Sequence, residues 1–291
     1  MSPRVLLAEA AQRLRRAGVA SPEYDAAELL AHVLGTTRGQ LALVEELGGD
    51  AATEFERLLT RRAAREPLQH LTGVAPFRHV ELAVGPGAFV PRPETELLAG
   101  WAIEQAAARV STGSTRVRVV DLCTGSGAIA RAVKDEAPHA EVHAVELSPE
   151  AFHWAQLNLS ACDVDLREGD FSTAFDDLVG TVDVVVCNPP YVPLEAWESV
   201  AVEARDHDPH LALFSGEDGL DAIRAVAVRA ADLLRPGGVV GVEHADAQGE
   251  SAPAVFAAEG RWEEIRDHRD LAGRPRFVTA RRAVARTDAA E

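Results

Sequence analysis

Over the first ~70 residues apolar positions recur at helical spacing. Residues 5–16 are amphipathic, and Ser21 followed by Pro22 puts a capping residue before a proline at the first position of a helix that Gly35 closes. A third helix runs from about Asp50 to Arg65 and ends before Pro67, because the residue preceding a proline is pushed out of the helical region. Between Phe77 and Pro91 the spacing becomes alternating: Val80, Leu82, Val84, Phe89 and Val90 are interleaved with polar residues and glycines, which predicts a β-hairpin. Beyond Pro93 a helix carrying Leu97, Leu98, Trp101 and Ile103 leads into seven predicted strands, at 117–122, 141–147, 164–167, 182–187, 238–243, 262–267 and 276–280. Helices are predicted between most of them, near 127–136, 149–159 and 220–234. Such alternation predicts an α/β fold with a mostly parallel, doubly wound sheet, which takes its ligands beyond the carboxyl ends of its strands. The expected organisation is a small helical domain over 1–75, a hairpin linker over 76–92 and the α/β domain over 93–291, with no internal repeat.

Composition narrows the picture. Of 291 residues, 47% are hydrophobic and 26% charged, which is a folded chain with a loose tail expected only at Thr287 to Glu291. No stretch reaches the ~18 consecutive apolar residues of a membrane span, and the N-terminus lacks the apolar run of a signal peptide, so a cytoplasmic location is expected. Cys123, Cys162 and Cys187 are odd in number and set among apolar neighbours, the pattern of small buried side chains and not of a disulfide framework or a metal site. A net charge of −17 repels a phosphate backbone, and the densest basic cluster, Arg61, Arg62 and Arg65, fits one helix face. Nucleic acid is therefore disfavoured as a direct substrate.

The run 119–130 reads as a strand, a glycine turn (Cys123, Thr124, Gly125, Ser126, Gly127) and a helix start. Glycines let a backbone approach a ligand closely, and a helix N-terminus offers unpaired N–H groups. The third glycine of the dinucleotide fingerprint is missing at its spacing, so a pyrophosphate is not expected. Asp121, just before the turn, would repel a phosphate and suit the cationic amino-acid end of S-adenosylmethionine. Glu146, ending the second strand of the sheet, can accept from both ribose hydroxyls. Asp170 and Phe171, after the third, can meet an adenine amino group and cover its face.

At 184–191 a fully apolar strand stops abruptly in Asn188-Pro189-Pro190-Tyr191. The prolines stiffen the backbone, and the Asn188 side chain and the Pro189 carbonyl can both accept from an incoming NH2 group. Methylation of a conjugated nitrogen needs this orientation, because the delocalised lone pair must be aimed along the methyl–sulfonium axis. The nitrogen becomes cationic during transfer, so the two oxygens bind it more tightly than the neutral group. Tyr191 can stack on the planar target. Glutamine amide and adenine N6 nitrogens have similar geometry, and these residues do not separate them.

With these residues in place the chain resembles the bacterial release factor glutamine methyltransferases, the PrmC/HemK family. The resemblance covers nearly the whole chain and rests on Glu66-Pro67-Leu68-Gln69-His70-Leu71-Thr72-Gly73, on Phe89-Val90-Pro91-Arg92-Pro93-Glu94-Thr95-Glu96, on the glycine turn, on Asn188 to Tyr191 and on Gly216-Glu217-Asp218-Gly219-Leu220. It implies a seven-stranded Rossmann-like class I methyltransferase sheet with a small N-terminal helical domain joined by a β-hairpin. It implies S-adenosylmethionine as methyl donor and N5 of the glutamine in the Gly-Gly-Gln loop of peptide chain release factors as target. Cofactor contacts would come from Cys123, Thr124, Gly125, Ser126, Gly127, Glu146, Asp170, Phe171 and Asn188. Glutamine recognition would come from Asn188, Pro189, Pro190 and Tyr191, with Phe89 lining the transfer pocket, and the N-terminal helices would contact the release factor elsewhere. Cys123 stands where the family often has glycine, and Glu146 where aspartate is common. No metal or membrane partner is implied, and His70, His207, His210 and His244 are expected in structural or surface roles, since the product proton leaves an already cationic nitrogen.

The nearest alternative is methylation of a ribosomal-protein glutamine, followed by a nucleic-acid adenine methyltransferase, which would want a basic recognition segment. A catalytically silent cofactor-binding module would not need the intact Asn188 to Tyr191 turn. A nicotinamide dehydrogenase would need the missing glycine.

Overall fold

The computed structural model describes residues 3–111 and 116–284; the tail expected at Thr287 to Glu291 lies outside them. In chain order the first elements are α1 (Pro3–Arg16), α2 (Pro22–Leu34), α3 (Gly49–Ala63), α4 (Leu68–Thr72), β1 (Val74–Phe77) and β2 (Val80–Ala83). Next come α5 (Thr95–Ser111), β3 (Val117–Asp121), α6 (Ala128–Glu136), β4 (Ala140–Glu146), α7 (Pro149–Leu159), β5 (Val164–Glu168) and β6 (Val182–Cys187). The chain continues through α8 (Val202–His207), α9 (His210–Leu213), α10 (Asp221–Leu233), β7 (Leu234–Glu243), α11 (Ser251–Glu259), β8 (Trp262–Arg269) and β9 (Pro275–Arg282). These elements form two compact units: residues 1–74, 84–86 and 201–207, and residues 75–83, 87–200 and 208–291.

The first unit is helical, around a core that includes Leu14, Leu29, Leu30, Phe55 and Leu58. Pro22 opens α2, where its missing N–H would have had no helical partner, and Gly35 closes it at φ 60°, returning its N–H to the Ala31 and His32 carbonyls. The arginines expected on one basic face are neutralised. Arg62 is buried with Nε 2.7 Å from Asp25 Oδ2 and Nη2 3.1 Å from Glu203 Oε1, and Arg65 Nη2 lies 2.5 Å from Glu203 Oε2. Through Glu203, residues 201–207 group with this unit although they are distant in sequence from the 1–75 segment.

The hairpin is shorter and earlier than the alternation over 76–92 predicts. Its strands are β1 and β2, joined at Arg78 (φ 51°), whose guanidinium clasps Glu136 of α6 at 2.5 and 2.7 Å. Backbone N–H and C=O of Ala83 both bond the Asn158 side chain of α7, at 2.7 and 2.9 Å. No strand continues into 84–91, where Gly85-Pro86-Gly87 and Pro91 interrupt any ladder.

The second unit carries seven strands in the order β5-β4-β3-β6-β7-β9-β8, parallel except for β9, which runs antiparallel to both neighbours. Every side chain of β6, Val-Asp-Val-Val-Val-Cys, is buried, as expected of a central strand covered on both faces. Winding departs from β3 in opposite directions, through β4 to β5 and through β6 to β7, so the carboxyl ends of β3, β4 and β6 meet at a switch point. Among the described residues no helix is long and apolar enough to cross a membrane.

Candidate active site

The glycine turn follows β3. Thr124 N donates to Val145 O at 3.1 Å and Gly127 N to Thr124 O at 2.8 Å, which bends the chain tightly over the sheet edge. Gly125 and Gly127 take φ of 58° and 87°, the left-handed region. At Gly127 a Cβ would also press on Leu159, 3.2 Å away, so this glycine closes α6 onto α7. Asn158 Nδ2 donates to Ser126 O at 2.8 Å as well as to Ala83 O, tying turn and hairpin to one side chain.

Asp121, expected to suit a cationic ligand group, lies deep in the structure. It is completely buried beneath the turn, accepts from the Thr124 hydroxyl at 2.7 Å, and burial pushes its carboxyl up to about 7 against that bond. Its contribution is therefore to order the turn from below.

Glu146 ends β4 and faces the turn: Oε2 accepts from Gly125 N and Oε1 from Ser148 N, both at 2.8 Å. Burial raises its carboxyl, opposed by these backbone amides. Each oxygen retains a further lone pair for a hydroxyl donor. Phe171 is half-buried against the sheet core with Cys123 and Tyr191, whereas Asp170 is exposed and its Oδ1 accepts from Ser172 N at 2.8 Å. Cys187 is buried, its thiol pushed up by burial and by the neighbouring Cys123; all three cysteines are free.

Asn188-Pro189-Pro190-Tyr191 leaves the end of β6. Tyr191 N and Val192 N donate to Leu213 O at 3.2 and 2.8 Å, and Leu194 N donates to Gly216 O at 3.0 Å. Gln248 Nε2 donates to Tyr191 O at 3.0 Å and to Gly219 O at 3.3 Å. The half-buried Asn188 donates through Nδ2 to Thr95 Oγ1 at 3.3 Å, and Tyr191 Oη donates to Glu243 Oε1 at 3.1 Å. Burial, followed by the Glu243 charge, pushes the Tyr191 phenol far above its ordinary value. Phe89 is half-buried with the Arg92 guanidinium 4.8 Å from its ring centroid, and Arg92 Nη2 binds Asp208 Oδ2 at 2.6 Å.

Cys123 to Gly127, Glu146, Phe171 and Asn188 to Tyr191 thus gather at one sheet edge, with Asp170 on its exposed rim. Sequence reasoning missed Thr95, Glu243, Gln248 and Asn158 as supports. Glu243 carried a usable signal, an acid ending an apolar strand as Glu146 does. Gln248 and Asn158 carried none. His244 is buried with Nδ1 2.8 Å from Ala245 O, and His210 packs edge-on to Trp197 and Phe214, both structural placements. Among the described residues no group of three or more His, Cys, Asp or Glu could hold a metal ion.

Residues 5–73 match the family model of the PrmC N-terminal domain, and residues 106–205 that of the methyltransferase small domain. The chain is 56% identical over 278 residues to the release factor glutamine methyltransferase of Streptomyces coelicolor, covering 96% of this chain and 97% of that one. It is 43% identical to the protein of the same name from Mycolicibacterium smegmatis (98% and 99% covered) and 45% identical to that of Deinococcus radiodurans (97% and 99%). Among solved structures it resembles the hMettl16 catalytic domain in complex with an RNA hairpin, with TM-score 0.52 and 15% identity over 69% of this chain and 75% of that one, a likeness of fold.

Proposed function

Because the chain belongs to the release factor glutamine methyltransferase family, we propose that it transfers a methyl group from S-adenosylmethionine to N5 of the glutamine in the Gly-Gly-Gln motif of peptide chain release factors, in the cytoplasm. The observation that carries the chemistry is the Asn188 to Tyr191 turn, a rigid pair of acceptors at the same sheet edge as Glu146 and the glycine turn. The residues fit the cofactor: two left-handed glycines allow close backbone approach, Glu146 offers two oriented oxygens for a ribose diol, and Phe171 offers a ring face. Bound there, the cofactor supplies an electrophilic methyl on a positively charged sulfur.

Asn188 Oδ1 and the Pro189 carbonyl accept the two N–H groups of the target amide and hold its lone pair toward that methyl. As the N–C bond forms and the S–C bond breaks, the nitrogen gains positive charge and both oxygens bind it more strongly. Tyr191 walls the planar amide, Phe89 lines the pocket, and the surplus proton leaves the cationic nitrogen for water. The helical segment 1–75 serves substrate recognition away from the Gly-Gly-Gln loop.

Incubating purified release factor with the protein and S-adenosylmethionine, then mapping added mass by peptide mass spectrometry, tests the reading. One methyl on the Gly-Gly-Gln glutamine is expected. An unmodified release factor beside a methylated ribosomal protein or adenine base would sink the substrate assignment while keeping the chemistry. Glu146→Gln tests the cofactor half: it can accept through only one oxygen and should weaken cofactor binding about 10- to 100-fold, the worth of a hydrogen bond to a charged group. Calorimetry showing unchanged affinity would remove Glu146 from the ribose site.

A further inference from the structure

The Asn188 to Tyr191 turn is anchored to a single buried acid. Glu243, 1% exposed at the end of β7, accepts the Tyr191 hydroxyl at 3.1 Å. Its other oxygen, Oε2, is buried without a hydrogen-bond partner; burial pushes the carboxyl up to about 7, opposed by a hydrogen bond from the neighbouring Thr95 hydroxyl. Thr95 is itself 4% exposed at the start of α5 and accepts from Asn188 Nδ2 at 3.3 Å. Both ends of the catalytic turn therefore lead to Glu243, one directly and one through Thr95.

We propose that Thr95 and Glu243 are positioning residues that hold the Asn188 side chain with its oxygen, and not its nitrogen, toward the target amide. This rests on the reading of Asn188 as an acceptor of that amide. An asparagine amide has nearly the same shape in its two flipped orientations, but one offers an acceptor and the other two donors. Turned the wrong way, it would set NH2 against the NH2 of the target.

A threonine hydroxyl has one proton and two lone pairs, so its polarity depends on what it donates to. A carboxylate has no proton to give. Burial pushes the Glu243 carboxyl up to about 7, so above that pH, where it is ionised, the Thr95 hydroxyl donates to it, only lone pairs remain for Asn188, and the chain runs one way from Asn188 through Thr95 to Glu243. The same carboxylate accepts a hydrogen bond from the Tyr191 hydroxyl, so amide and ring share an anchor. Burial dominates and, with Glu94, raises the Glu243 carboxyl, while Thr95, Arg276 and Tyr191 act against it. A glutamine at 243 could donate as well as accept, and the directionality would be lost.

The test compares Thr95→Val, Thr95→Ser, Glu243→Gln and Asn188→Ala in the full chain, measuring kcat and KM for methylation of a release factor and cofactor Kd by calorimetry. Thr95→Val should lower kcat about 10- to 100-fold, the cost of a misdirected reacting group, with KM and cofactor Kd within a few fold. Thr95→Ser, which keeps the hydroxyl, should recover most of the loss. Glu243→Gln should act in the same direction, and the double variant Thr95→Val/Glu243→Gln should be no slower than the slower single one, because both interrupt one chain. Should Thr95→Val fail to fold, Glu243→Gln alone carries the same kcat-against-Kd comparison. Wild-type kcat in Thr95→Val or in Glu243→Gln beside an inactive Asn188→Ala overturns the proposal and leaves the reading of Asn188 standing. A Thr95→Ser as slow as Thr95→Val also overturns it, because packing and not the hydroxyl would then matter. Full activity in Asn188→Ala removes the reading beneath it and the proposal together.

Discussion

Replacing Asn188 by alanine is expected to lower methyl transfer about 10²- to 10³-fold, the usual loss when one preorganised polar group at a charge-developing centre is removed. The side chain touches Thr95 and makes no hydrogen bond to the glycine turn, so cofactor affinity should stay within a few fold. The strand beneath it does not depend on it: Val184, Val185, Val186 and Cys187 are completely buried and Pro189 is buried beside them. Single-turnover kinetics with calorimetric titration of cofactor separates the two effects. A large loss of cofactor binding with normal residual turnover would move Asn188 out of the chemistry and into the cofactor site.

Gly219→Ala should be nearly as damaging although the residue touches neither reactant. Gly219 sits at φ 75°, and a Cβ there would lie 2.4 Å from Tyr191 O, 2.8 Å from Gln248 Nε2 and 3.0 Å from Pro193 Cδ. Backbone and proline atoms cannot swing aside, so the Asn-Pro-Pro-Tyr turn itself must shift. A displacement near 1 Å at a site of this kind costs on the order of 100-fold in turnover. Gly273→Ala provides the control, since Gly273 has φ 78° but a Cβ there would meet nothing within 4 Å. Both variants carry the left-handed strain of about 1–2 kcal/mol. Only Gly219→Ala adds the clash, so it alone should lose activity and should melt lower than Gly273→Ala. Equal turnover in the two variants would show that the turn tolerates movement, contradicting its assigned rigidity.

Gly219 also illustrates what a sequence motif can and cannot say. Gly216 to Leu220 marks the family, but the motif does not reveal that its glycine exists to let Tyr191 O and Gln248 pass. That contact joins residues 191, 219 and 248, which approach only when β6 and β7 lie side by side. The same limit applies to the polar chain. Asn188 and Tyr191 stood out at once, whereas Thr95 was one letter in a motif and Glu243 one acid at a strand end. Their joint role depends on α5 and β7 meeting the turn from opposite parts of the chain.

Asp121 was legible as an important position, but its depth of burial was not. Its place before the glycines suggested an acid suited to a cationic ligand group; in the structure it is completely buried and accepts from the Thr124 hydroxyl. The hairpin is present, but its extent was misjudged for a different reason. Alternation of Val84, Phe89 and Val90 mimics a strand, but Gly85-Pro86-Gly87 supplies neither regular geometry nor a complete set of N–H donors.

The sequence by itself determined the seven strands, the parallel winding, the glycine turn and the tetrapeptide, because each depends on local periodicity or on stiff residues within a few positions of one another. Only the tertiary structure decided which polar side chains sit beneath those motifs, which acid is buried, and that Arg62 and Arg65 pair with Glu203 instead of facing solvent. Hydrogen bonds and desolvation act across space at about 3 Å, and a linear pattern does not specify which distant residues will come that close.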